Sequence, residues 1–224
     1  MLKKKLTSSD YFLIAANLLP AIGVWAWGWN PKEMFLVYCL ETIIIGIFNL
    51  VKMGIATAFQ KKGTWYSEGR SSQQSGLLFM LFFLVHYGLF VGVQMGMFFG
   101  VSGIGKGTTI NVFTFFYKWP QLISNDSLII LGVFVFGNAY RMFVDFILPG
   151  EYRRAPMIGL MFQPYGRIFI QQFTVIAGSM FLSFGAGKIF ILIFAAVKIF
   201  FELLVNYQGI LSKGLNDLEK KSGK

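Results

Sequence analysis

The chain holds one cysteine, Cys39, and one histidine, His86, in 224 residues. A single thiol excludes an intramolecular disulfide, so cysteine usage does not reveal the compartment. One His and one Cys also leave a zinc, copper or bis-His haem site short of ligands. Charge is scarce too, with 10 acidic residues and a charged share of 13%, against roughly 25% in ordinary soluble domains. No grouping of nucleophile, base and orienting residue stands out, so the sequence points to no enzyme, catalytic residue, metal or cofactor.

Apolar and aromatic bulk takes the place of charge. The chain is 55% hydrophobic, with 26 Phe and 25 Gly and a mean hydropathy of +0.62. Lipid suits such a composition, because aromatic bulk can face acyl chains while Gly permits close helix approach. The formal net charge of +10 does not point to nucleic acid, because the basic residues fall in short clusters between apolar runs.

Six of those runs, at about 11–29, 34–59, 76–101, 128–148, 168–186 and 189–208, meet or approach the ~20 residues needed to cross a bilayer. The expected fold is an all-α polytopic bundle of six transmembrane helices over residues 1–208, followed by a basic tail at 209–224. Lys3, Lys4 and Lys5 before the first run resemble a signal peptide. The run leads into Trp25, Trp27 and Trp29 without a small-residue cleavage site, however, and reads as an uncleaved helix. Residues 184–188, Phe-Gly-Ala-Gly-Lys, supply a tight turn between the last two helices.

Loop charge orients the bundle, since cytoplasmic connections carry the excess of Lys and Arg. With the N-terminus inside, the inner segments hold Lys3, Lys4, Lys5, Lys61, Lys62, Arg70, Arg153, Arg154, Arg167, Lys213, Lys220, Lys221 and Lys224. The outer ones hold Lys32, Lys106, Lys118 and Lys188. Both termini are therefore expected in the cytoplasm, in a multi-pass protein of the cell inner membrane. Helices one to three would then oppose four to six, which permits an inverted repeat. The outer aromatic run 110–119 and the inner apolar run Met157–Phe162, after the helix stop Pro149-Gly150, are both expected to lie at the membrane surface.

Gly88, Gly92, Gly96 and Gly100 recur every four residues, a stripe suited to close helix packing. Residues 100–108 superficially resemble a phosphate-binding loop, but Gly107 follows Lys106 where Ser or Thr is required. Asn125-Asp126-Ser127 matches a glycosylation acceptor, a tripeptide common by chance.

The ionisable residues inside the runs are Glu41, Lys52, His86, Arg141, Asp145, Lys198 and Glu202. Charge in hydrocarbon is costly, so each is expected to find a partner or water. Arg141 with Asp145, and Lys198 with Glu202, lie four apart on common helix faces. Asn138 joins the first stripe and Asn206 the second, while Glu41 and Lys52 align after three turns. By helical rise, most of these residues, with Gln171 and Gln172, fall in the inner half, Glu41 alone leaning outward. A polar cavity open to the cytoplasm is one reading of this pattern. Structural ion pairs and snorkelling basic side chains are the other.

Several stretches resemble a family of prokaryotic integral membrane proteins known as domain of unknown function 6498. They are Asn17-Leu18-Leu19-Pro20, residues 38–53 with Glu41, Gly46, Asn49 and Lys52, His86-Tyr87-Gly88, Gly150-Glu151-Tyr152-Arg153, residues 164–168, and Lys198 with Glu202. In the family's pattern, further histidines stand where this chain has Gln94, Asn138, Gln172 and Asn206, and Asn stands where it has Thr42. The resemblance implies a divergent member; any metal or proton chemistry of those histidines would be lost here.

Two functions of different class follow from the sequence. One is a small transporter or channel-like protein using Glu41, His86, Asp145, Lys198 and Glu202, with Gln94, Asn138, Gln171 and Gln172 as hydrogen-bond partners. The other is a non-catalytic scaffold or subunit, embedded in the bilayer and docked to a membrane-protein partner or a second copy. A membrane-embedded metal or redox enzyme is a weaker third.

Overall fold

A computed structural model describes residues 8–67, 70–102, 112–204 and 207–222. Certain side chains within those ranges, Glu202 among them, lie outside the description. So do Lys3, Lys4, Lys5, Lys106, Asn206 and Lys224, together with most of the 100–108 loop and the first two residues of the aromatic run.

Helices cover each of the six apolar runs. They are α1 (Ser8–Ala26), α2 (Pro31–Gln60), α3 (Gly76–Ser102), α5 (Asn125–Met142), α7 (Tyr165–Ser183) and α8 (Gly187–Leu204). Three segments, Pro31–Gln60, Gly76–Gly100 and Asn125–Ile147, are long and apolar enough to cross a membrane. Between and after them lie α4 (Val112–Lys118), α6 (Met157–Phe162) and α9 (Tyr207–Ser222).

The central element is α2. Asn30 begins it, its side chain accepting from the Lys32 amide at 3.0 Å with Pro31 in the first turn, where proline's missing N–H costs nothing. An unbroken buried stretch from Met34 to Thr42 follows from helices α3, α5, α7 and α8 packing around it. Aromatic rings fill the space between: Phe35 meets Phe98, Phe190 and Phe194, and Tyr38 meets Phe134 and Phe194.

Three polar ties join segments from distant parts of the chain. Trp25 Nε1 donates to the Lys188 carbonyl at 3.0 Å, joining the end of α1 to the start of α8. Glu33 Oε2 accepts from the Ser124 amide and the Ser127 hydroxyl, both at 2.9 Å, joining the starts of α2 and α5. A carboxylate there satisfies N–H groups at the positive end of the α5 dipole. At the far end of α2, Gln60 Nε2 donates to the Tyr152 and Ala155 carbonyls at 2.9 and 3.0 Å.

The expectation of an all-α chain needs correction. Between α2 and α3 lies an antiparallel hairpin of β1 (Lys62–Ser67) and β2 (Arg70–Ser75), in which Trp65 faces Ser72. Lys61 ends α2 at φ 62°, its amide still bonded to Thr57, and Trp65 packs on Phe79 and Phe82. Thr64, Trp65 and Tyr66 are good strand formers. Arg70-Ser-Ser-Gln-Gln-Ser is not, which is why the segment reads as a loop.

A second correction concerns α6. Its Met157, Ile158, Leu160 and Met161 are buried, packed on α2, α3 and β1, rather than spread over a surface. The Asn49 side-chain amide donates to the Leu160 carbonyl at 3.0 Å, three turns inside the end of α2. At the expected stop, Gly150 takes φ 71°, a conformation that glycine adopts without steric cost. At the turn between α7 and α8, Gly185 takes φ 75°.

The glycine stripe faces no described neighbour: a methyl group built on Gly88, Gly92, Gly96 or Gly100 meets none of the described residues within 4 Å. Among the described helices, close approach occurs at Gly46, Gly137 and Gly178. Their Cβ atoms would fall 2.5 Å from Tyr87, 2.4 Å from Phe12 and 2.0 Å from Phe190.

Candidate functional site

Glu41 and Lys198 are 157 residues apart and form an ion pair with each side chain 6% exposed. Glu41 comes from the buried face of α2 and Lys198 from the middle of α8. The ammonium sits 4.9 Å from the centre of the Tyr38 ring and 5.0 Å from that of Phe134. A cation over two aromatic faces gains attraction that strengthens where water is excluded. The carboxylate supplies the counter-charge, without which a buried ammonium would be costly.

Tyr38 holds this arrangement to three other helices. Its hydroxyl donates to the Asn17 carbonyl of α1 at 2.8 Å, and its own carbonyl accepts from Gln171 Nε2 of α7. Its ring lies edge-on to Phe194 of α8, with centroids 4.4 Å apart. One turn along α2, Thr42 accepts from the Tyr87 hydroxyl through its carbonyl at 2.7 Å and from Gln94 Nε2 through its hydroxyl at 3.5 Å.

Three buried acceptor oxygens, Asn17 Oδ1, Gln94 Oε1 and Gln172 Oε1, have no partner among the described residues. A buried acceptor left without a donor costs about 1–3 kcal/mol. Beside Lys198, Arg167, Gln171, Ile170, Phe194 and Phe201 line a small crevice with room for about one water molecule. It lies toward the end where α7 begins and α8 finishes.

The structure distributes the remaining residues differently from the sequence reading. His86 stands apart from the ion pair, its Nδ1 3.0 Å from the Tyr165 hydroxyl and its ring against Phe82, Phe90 and Tyr165. Either group can donate in this bond, and which one does sets the imidazole tautomer. Tyr165→Phe is expected to cost about 0.5–1.5 kcal/mol of stability and to mix the two His86 tautomers. The ¹⁵N spectrum of the single histidine reads that change; an unaltered tautomer would count against the assigned bond.

Asp145 is exposed, on a π-helical turn Phe143–Ile147 that continues α5. Among the described residues it closes no ion pair with Arg141, although the four-residue spacing suggested one. The wider π turn changes the angle between the two side chains relative to a regular helix. Lys52 does not reach Glu41 as the three-turn alignment allowed, but lies 5.8 Å from the Phe146 ring. Asn138 spends its amide on the Phe134 carbonyl of its own helix at 2.9 Å. Lys198 is described with Glu41; the side chain of its expected partner Glu202 lies outside the described residues. Among the described residues, no three of His, Cys, Asp and Glu converge as a metal site would require.

Sequence reasoning missed Tyr38, Phe134 and Arg167 as parts of the site. Tyr38 carried a usable signal, lying one turn before Glu41 on the same helix face. Phe134 carried none, since 26 Phe offer no way to choose among them, while Arg167 stood out only as part of the 164–168 stretch that resembles the family.

Comparison with known proteins adds one finding. The model of a family of unknown function, DUF6498, matches residues 1–218. No curated protein and no solved structure matches the chain.

Proposed function

We propose, for a chain that belongs to the DUF6498 family of unknown function, a six-span inner-membrane protein that passes protons or small ions through the Glu41–Lys198 site. The observation that carries the reading is a fully buried ion pair, held by side chains from several helices and bordered by a crevice. Burying a charge pair stabilises a bundle poorly compared with apolar packing. Intramembrane charge is more often retained for an ion or proton pathway.

Support for six alternating spans comes from the three polar ties. An N-terminus in the cytoplasm puts the end of α1 and the turn before α8 outside, where Trp25 meets Lys188. It also puts the starts of α2 and α5 outside, where Glu33 meets Ser124. The end of α2 and the connection after Pro149 fall inside, where Gln60 meets Tyr152. Each tie joins segments assigned to the same side by loop charge.

Glu41 would accept and release the proton, and Lys198 would hold the compensating charge. The crevice has room for water-sized groups rather than organic solutes. In proteoliposomes with an imposed pH gradient, the wild type is expected to dissipate the gradient. Glu41→Gln is expected to slow it at least tenfold while Gly92→Ala does not. Wild-type flux equal to that of empty liposomes, in chloride and in gluconate media, would sink the reading and favour a scaffold.

A further inference from the structure

We infer that the surface formed by Phe59, Tyr152 and Arg153, with Lys61 and Lys62 beside it, binds the headgroup of an anionic phospholipid. Such binding needs α2, α3 and α5 to cross a membrane and does not depend on a proton path through Glu41. All three of those segments end at this level. Pro31–Gln60 finishes one residue past Phe59, and Asn125–Ile147 stops shortly before the turn Glu151–Arg153. Gly76–Gly100 begins at a glycine whose amide donates to the Lys61 carbonyl at 3.1 Å. Hydrocarbon therefore gives way to headgroups at this height.

The loop that carries Arg153 is held in place by its neighbours. Gln60 Nε2 ties the Tyr152 and Ala155 carbonyls to the end of α2. Arg154 is spent within the loop, its Nε bonding Glu151 Oε1 and its Nη2 the Pro149 carbonyl, both at 3.0 Å. Arg153 is not. Its guanidinium carbon lies 5.7 Å from the centre of the Phe59 ring and 5.4 Å from that of Tyr152, two rings whose centres are 4.6 Å apart. The rings hold the guanidinium through its charge, while among the described residues no acceptor takes a hydrogen bond from its side chain. An exposed planar fork of N–H donors matches two oxygens of a phosphate.

Lys61 and Lys62 follow Gln60 directly and are exposed, and among the described residues no carboxylate pairs with either of them or with Arg153. The acid of this loop, Glu151, is taken by Arg154. Apolar surface continues from the cations along α2. Ile47, Val51 and Phe59 are exposed and, with the half-buried Ile55, recur every four residues on one side of the helix. An acyl chain can lie along that ridge while its phosphate meets Arg153, and each cation near an anionic headgroup adds to the attraction. A soluble phosphate would use the cations and leave the ridge uncovered, so the surface fits a lipid.

The test uses native mass spectrometry of the full-length protein in detergent micelles, titrated with phosphatidylglycerol or with phosphatidylcholine of the same acyl chains. Phosphatidylglycerol is expected to bind at least tenfold more tightly. Arg153→Gln is expected to weaken it about tenfold, and Arg153→Lys by a smaller factor, because Lys keeps the charge and loses the planar fork. Arg70→Gln removes the same charge at the far end of the hairpin, where Arg70 faces Ser67, and is expected to change the affinity less than about twofold. Equal binding of the two lipids overturns the inference, as does an unchanged affinity in Arg153→Gln. An equal loss in Arg70→Gln also overturns it, since the attraction would then be spread over the whole basic surface. Displacement of phosphatidylglycerol by an equal concentration of inorganic phosphate would assign the surface to a free anion and overturn the lipid. If Arg153→Gln does not fold, the two wild-type titrations and the comparison of Arg153→Lys with Arg70→Gln decide.

Discussion

Lys198→Met is expected to lose about 3–5 kcal/mol of stability, because it leaves the Glu41 carboxylate buried without its counter-charge. Met fills the space between the Tyr38 and Phe134 rings and keeps favourable sulfur–aromatic contact, so the loss reads mainly as charge. Glu41→Leu is expected to cost a similar amount by stranding the ammonium. The double variant Glu41→Leu/Lys198→Met is expected to recover most of both losses, since an apolar pair of similar volume replaces an ion pair at little cost or with a gain. Reversible unfolding in mixed micelles measures all three, and the cycle isolates the coupling. Simple addition of the two single losses in the double variant would show that the residues do not depend on each other.

Stability and transport separate in the same set of variants. A double variant that regains stability but passes no protons places the pair's value in ion movement. One that retains full flux would place the pathway elsewhere in the bundle.

Gly46→Ala is expected to destabilise the bundle by about 1–3 kcal/mol, the usual range for an added methyl in a packed core. The new Cβ would lie 2.5 Å from the Tyr87 ring, and Tyr87 cannot withdraw without lengthening its 2.7 Å bond to the Thr42 carbonyl. Thr42 follows Glu41, so the same displacement reaches the ion pair. Gly92→Ala is expected to be neutral or stabilising, by up to about 1 kcal/mol, because its Cβ meets nothing and Ala is the better helix former. Thermal melts in a single detergent compare the two. A greater loss at Gly92 than at Gly46 would mean that the stripe is packed against something outside the described chain.

The contrast between these glycines shows where sequence reading stops. A four-residue repeat on α3 is conspicuous, whereas Gly46, Gly137 and Gly178 belong to no such repeat in their helices. Periodicity reports that small residues share a face, but only the neighbouring helix determines whether anything fills the groove. The same limit applies to α6, whose six residues read as an apolar run at the membrane surface until Asn49 is seen to reach its backbone. It applies again to β2, whose polar sequence gains its strand only by pairing with β1.

The sequence by itself determined the helical class, the apolar runs, the helix breaks at Gly150 and Gly185, and the presence of Glu41 and Lys198 among apolar neighbours. These follow from composition, from rise per residue and from the steric freedom of glycine, all properties of short stretches of chain. Only the tertiary structure decided which charges meet. A spacing of four residues fixes the angle between side chains on one helix, which allows Lys198 to pair with Glu202 and Arg141 with Asp145 but says nothing of partners on other helices. The rotation of each helix is set by how its whole surface packs. Here that packing turns Glu41 of α2 toward Lys198 of α8, between Tyr38 and Phe134.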